Sequence, residues 1–104
     1  RTMHARPSGL AGYEEDGSEK PVYYSLGWSN RVLGGGRMNY WHTGSLPGTA
    51  TIMIRRHDGR NFVALLNSRV SPTASHLGRA IDSLLHKAAA EVTDWPTENL
   101  FEKF

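Results

Sequence analysis

The sequence predicts an α+β domain: an antiparallel sheet of about four strands in meander order, with a C-terminal amphipathic helix packed on it. Three observations carry this. Runs rich in β-branched and aromatic residues alternate with glycine-bearing turns between residues 22 and 67. Apolar residues take up helical spacing only near residue 77. Strands come first and the helix last, an order that argues against a parallel α/β arrangement.

Residues 1–21 mix Gly, Pro, Ser and Glu with few apolar residues, and 14–21 read as loop. This segment is expected to be a connector or mobile arm. The first strand is expected over 22–33. Gly34-Gly35-Gly36 then turns the chain, because glycine tolerates positive φ. The second strand is expected over 37–43. In the third, 49–57, Ala50, Ile52 and Ile54 share one face, and Thr51, Met53 and Arg55 the other. Asp58-Gly59 signals a hairpin. The fourth strand, 61–67, is apolar at Phe62, Val63, Ala64, Leu65 and Leu66, a pattern that suits a central strand covered on both faces.

The closing helix has possible starts at Ser71-Pro72-Thr73 and Ser75, whose hydroxyls can cap. Leu77, Ala80, Ile81, Leu84, Leu85, Ala88 and Val92 form the stripe expected to lie on the sheet. Asp94, Trp95 and Pro96 are expected to end the helix, and Leu100, Phe101 and Phe104 to tuck back as an apolar tail. Residues 22–94 thus form the domain and 95–104 a tail.

Composition narrows the function classes. At 104 residues the chain fits one small domain with a thin core. Without cysteine, disulfides, thiolate metal sites and cysteine nucleophiles are excluded. A net charge of +2 is small for a nucleic-acid binder. The densest basic cluster, Arg55-Arg56-His57, sits beside Asp58 and reads as a solvated strand end rather than a phosphate contact. No apolar run reaches the roughly 20 residues of a membrane-spanning helix. His4, His57, His76 and His86 lack metal-ligand spacing and read as surface residues. Ser83 and His86 lie one helical turn apart, but no orienting acid is evident, so an exposed helix face is the plainer reading. Arg1 is not an initiator Met, so the chain is expected to be processed or cut from something longer.

The stretch Trp41-His42-Thr43-Gly44-Ser45-Leu46-Pro47-Gly48, preceded by Tyr24-Ser25-Leu26-Gly27-Trp28, carries a family resemblance. It resembles the C-terminal part of the serine β-lactamase and penicillin-binding-protein superfamily, closest to the class C and esterase-like branch. The 63–67 strand ending in Asn67 and the helix after it fit the same pattern, so the resemblance covers roughly residues 22–92. In that family an acyl-serine site needs Ser-x-x-Lys, a Ser/Tyr-x-Asn element and Lys-Thr-Gly on an edge strand. His42-Thr43-Gly44 stands in the third position. The resemblance implies that His42 faces the cleft as a polar or cationic group and that Thr43 contacts a substrate carboxylate or carbonyl. Gly44 would let substrate approach the backbone, and Ser45 would lend its backbone N–H to the oxyanion hole.

No serine here is followed by Lys three residues on, and no Tyr-x-Asn or Ser-x-Asn occurs. The expectation is therefore a C-terminal portion of a serine hydrolase with one wall of the site and no nucleophile, inactive alone. Its partner would be the rest of the hydrolase domain, its parent's compartment periplasmic or extracellular. Neither cofactor nor metal is called for, and β-lactam, peptidoglycan peptide and simple ester all remain candidate substrates. A second reading is a non-catalytic binding or self-association module using the exposed sheet. His42 also reads as an ordinary exposed strand histidine, Thr43 and Ser45 as ordinary strand and loop residues, and Trp28 and Trp41 as packing aromatics.

Overall fold

A computed structural model describes residues 2–73 and 76–103. Five strands form one antiparallel sheet in the order β1-β2-β3-β4-β5, followed by one α-helix. The strands are β1 (Val22–Ser25), β2 (Trp28–Gly34), β3 (Arg37–Leu46), β4 (Thr49–Arg55) and β5 (Asn61–Leu66), and α1 spans Leu77–Glu91. The fold class is the expected one. The extra strand arises because residues 22–33 are a hairpin, not one strand. Leu26 and Gly27 both have positive φ, 37° and 88°. That pair of conformations matches the turn that joins two antiparallel strands across two residues. Leu26 accepts a backbone region that costs a residue with a Cβ roughly 1 kcal/mol.

The remaining turns fall where glycine predicts them. Gly34 opposes Arg37 across the glycine turn, with a register shift between Val32 and Gly34. Pro47-Gly48 joins β3 to β4. The Asp58-Gly59 loop joins β4 to β5, and Arg56 and His57 belong to that loop rather than to the strand.

β4 forms the centre of the core. Ala50, Ile52 and Ile54 are at most 2 % exposed, as their alternation predicts. They face α1, together with Phe62 on β5, whose ring meets His86 edge-on at 5.8 Å. The helix docks through a different stripe from the expected one. Gly78 and Ala89 are buried and Ile81 and Leu85 half-buried, while Ala80, Leu84 and Ala88 are exposed. A Cβ on Gly78 would lie 3.8 Å from the Thr51 carbonyl oxygen. The helix approaches the sheet at its smallest residues and so turns about one residue away from the pattern drawn by leucine alone. Its start differs too. His76 occupies the cap position, Ser71 and Thr73 lie upstream with their hydroxyls bonded to each other at 2.8 Å, and Ser75 lies outside the described residues. The helix ends at Glu91, before Asp94, and Trp95 Nε1 donates to the Val92 carbonyl at 3.1 Å. Phe101 is 91 % exposed, so it does not tuck back. Phe104 and the side chain of Leu100 lie outside the described residues.

The other face of the sheet is covered near β1, β2 and β3 by residues 2–20. Tyr23 Oη donates to the His4 carbonyl at 2.9 Å, and Ser25 Oγ to the Met3 carbonyl at 2.8 Å. The His4 ring stacks on Tyr40 at 3.9 Å and meets Trp28 at 5.6 Å. His4 is thus half-buried packing, not the surface residue its isolation in sequence suggests. Arg6 organises the segment. It donates to the Gly12 and Lys20 carbonyls at 2.6 and 2.8 Å and lies over the Tyr23 ring at 4.3 Å. Burial pushes the Tyr23 phenol above its ordinary 10.0.

β5 is an edge strand, contrary to the expectation of a central one. Its second apolar face is bare, with Val63 61 % and Leu65 77 % exposed. No helix among the described residues is long and apolar enough to cross a membrane.

Asn30 is fully buried, and its amide nitrogen donates to Tyr23 O, Ser25 Oγ and Trp28 O. Replacing Asn30 with Ala strands these partners and is expected to lower stability by about 2–3 kcal/mol, read from urea melts. The raised Tyr23 phenol gives a second expectation. An unfolded chain ionises Tyr23 at a lower pH than the folded chain, so this contribution is lost as pH rises past about 10. Melts at rising pH should show a shallower loss in Tyr23→Phe than in the parent chain.

Candidate functional site

The His-Thr-Gly triplet lies on β3, at a place where that strand is paired on one side only. Residues Tyr40 to Leu46 all pair with β4. The pairing with β2 stops at Ser29 opposite Trp41, because β2 turns back into β1 at Gly27. The half of β3 from His42 to Leu46 therefore has an open edge among the described residues.

Alternation of the ladder decides which backbone groups occupy that edge. A two-residue loop makes Leu46 and Thr49 the closing hydrogen-bonded pair, so Gly44 and His42 also bond to β4. The N–H and C=O of Thr43 and Ser45 point the other way, into the open edge. The β1–β2 hairpin gives the same parity from the opposite end. Ser25 and Trp28 close it, so Ser29 turns its groups to β3 and meets Trp41.

Side chains alternate as well. Thr43 and Ser45 project towards α1, and His42 and Gly44 towards the face that carries residues 2–20. His42 is exposed, with its ring 6.4 Å from that of Tyr24. Gly44 serves the sheet directly. A Cβ there would sit 2.5 Å from Thr51 Oγ1 on β4. Ser45 Oγ is 3.0 Å from His76 Nε2, at the cap position of α1.

An open cleft of about 490 Å³ lies between this edge and the first turns of α1. Arg31, Trp41, Thr43 and Ile52 form its sheet side, and His76, Gly78, Arg79 and Asp82 its helix side. The Arg31 guanidinium lies over the Trp41 ring at 5.1 Å. The lining thus carries two arginines and one carboxylate, Asp82, which is 3.5 Å from His86 Nε2. The cleft therefore favours an anionic or strongly polar guest.

His42, Thr43, Gly44 and Ser45 thus lie together on one strand, in neither a helix nor a buried layer. His42 is not among the residues that line the cleft, contrary to the expectation that it faces it, because alternation turns it away from the side of Thr43. His76, expected at the surface, is half-buried against Ser45, and Arg31 and Arg79 had no sequence signal beyond their charge. Ser83 and His86 do not form a dyad. Ser83 Oγ donates to the Ala80 carbonyl, and His86 turns to Asp82 and Phe62. Among the described residues no group of three or more His, Asp and Glu side chains is placed to hold a metal ion.

Compared with protein-family models, curated proteins and solved structures, the chain matches none of them.

The Ser45–His76 contact is expected to be worth about 0.5–1 kcal/mol, as an exposed hydrogen bond between strand and helix. A double-mutant cycle of Ser45→Ala and His76→Ala, read by urea melts, should return a coupling of that size. Strict additivity would show that the contact holds nothing.

Proposed function

We infer that this chain supplies one wall of an acyl-serine active site, of the kind found in serine β-lactamases and penicillin-binding proteins, to a hydrolase whose nucleophile lies outside these 104 residues. The observation that carries the reading is the open edge of β3. The Ser45 N–H and the Thr43 N–H point outward at the residues of the His-Thr-Gly triplet. Donors two residues apart on one strand edge are about 6.5–7 Å apart, the spacing that pairs with an extended substrate. Ser45 N–H is the oxyanion donor in this reading. It bonds to nothing in the β3–β4 ladder, so it can meet the negative charge that develops in the transition state without breaking a sheet bond.

Thr43 Oγ1 and the open-edge backbone hold the substrate, and Gly44 keeps the strand close to β4. His42, exposed on the opposite face, supplies a polar group to whatever covers that face. The chain makes no covalent intermediate itself. Ser45 Oγ has His76 beside it, but no acid holds the far side of that imidazole among the described residues, and no serine is followed by Lys three residues on.

The test uses a fluorophosphonate or β-lactam probe and mass spectrometry. The chain alone is expected to form no adduct and to release no p-nitrophenolate from an ester. With a Ser-x-x-Lys lobe present, in the same polypeptide or as a second chain, the adduct should fall on that lobe's serine. Ser45→Pro removes the outward N–H without disturbing the β4 ladder and should slow acylation by about 10²–10³-fold. An adduct on a serine of residues 1–104 with sustained turnover would overturn the reading.

A further inference from the structure

We propose that β5 is a pairing edge for a second copy of this chain, the two β5 strands running antiparallel about a twofold axis with Ala64 opposite Ala64. This is independent of the hydrolase reading.

β5 is open along its full length among the described residues. The Arg56 N–H donates to the Arg60 carbonyl at 2.9 Å, which fixes the parity of the β4–β5 ladder. Ile54 with Phe62, Ile52 with Ala64 and Ala50 with Leu66 are then the hydrogen-bonded pairs. The backbone groups of Asn61, Val63 and Leu65 point outward and find no strand. Edge strands in soluble proteins are guarded by charge, proline, a bulge or shortness. The six residues Asn61-Phe62-Val63-Ala64-Leu65-Leu66 carry no charge, proline or glycine. The opposite edge, β1, is guarded, with four residues and Lys20-Pro21 directly before them.

A second copy fits this edge better than a chain of unrelated sequence because the edge complements itself. With Ala64 on the axis, Val63 falls opposite Leu65 and Phe62 opposite Leu66 of the other copy. Each is an apolar pair, and Asn61 falls opposite Asn67 at the ends. The residues whose groups point outward, 61, 63 and 65, become the hydrogen-bonded pairs, as the parity requires. Val63 and Leu65, 61 % and 77 % exposed, would form one apolar stripe with Met53 across the junction. An antiparallel pair about a twofold uses both copies' edges and closes, so the product is a dimer rather than a fibre.

The chain has no cysteine, so a single introduced thiol reports the register cleanly. Ala64 in both copies would be a non-hydrogen-bonded pair with Cα atoms about 4.5 Å apart, within disulfide range. Under mild oxidation Ala64→Cys is expected to give a covalent dimer in high yield. Leu66→Cys, four residues out of register with its own copy, should give little. Sedimentation equilibrium of the unmodified chain from micromolar to millimolar concentration should show a species of twice 11.6 kDa. Val63→Lys with Leu65→Lys, both at exposed positions that leave the fold intact, should raise the dimer dissociation constant by about a hundredfold. A monomer throughout that range overturns the proposal. So does a dimer that survives the paired lysines, or one whose Leu66→Cys variant crosslinks as well as Ala64→Cys.

Discussion

The rest of the structure depends on where the first hairpin turns back. β2 begins at Trp28, so it reaches β3 only as far as Trp41. Had the 22–33 run been one continuous strand, β3 would have been available for pairing on both sides along more of its length. The Leu26-Gly27 turn leaves the His-Thr-Gly stretch with a partner on one side and open backbone on the other. The open edge follows from that length mismatch, while the two-residue turn at Pro47-Gly48 sets the direction of the Ser45 N–H along it.

The sheet is covered at diagonal corners. The helix sits on one face over β3, β4 and β5, held by the Ala50-Ile52-Ile54 row. The N-terminal segment sits on the other face over β1, β2 and β3, held by hydrogen bonds to Tyr23, Ser25 and Asn30 and by the cation of Arg6 over Tyr23. One cover is apolar and the other mostly polar. β3 alone lies beneath both, and its triplet emerges where the two covers stop. A small domain with a thin core gains from spreading its contacts in this way, since no single face buries enough to hold the fold.

Much of this architecture was legible in the sequence. Period-two alternation found β4 and its buried face, and glycine pairs found the turns. The first hairpin escaped because Leu26 occupies a backbone region that bulky residues rarely enter, so its turn carried only one glycine. The helix face departs from its apolar spacing because close approach to the sheet selects the small residues Gly78 and Ala89, which carry no hydrophobic signal of comparable strength. β5 looked central because composition reports how apolar a strand is and not what lies next to it. In the candidate site, the triplet showed itself by order along the chain. His76, Arg31 and Arg79 did not, because tertiary packing brings them to the edge from elements up to dozens of residues away. The N-terminal segment looked like linker because its attachments are carbonyl oxygens and one arginine, which leave no pattern of apolar spacing.

The close approach of Gly44 to Thr51 ties two strands' side-chain choices together. The hydrogen at position 44 fills the room that the threonine hydroxyl leaves, so volume added on β3 has to be surrendered on β4. A side chain at position 44 is therefore accommodated only if the Thr51 hydroxyl turns away or is removed, a constraint set by the sheet with no ligand touching the strand.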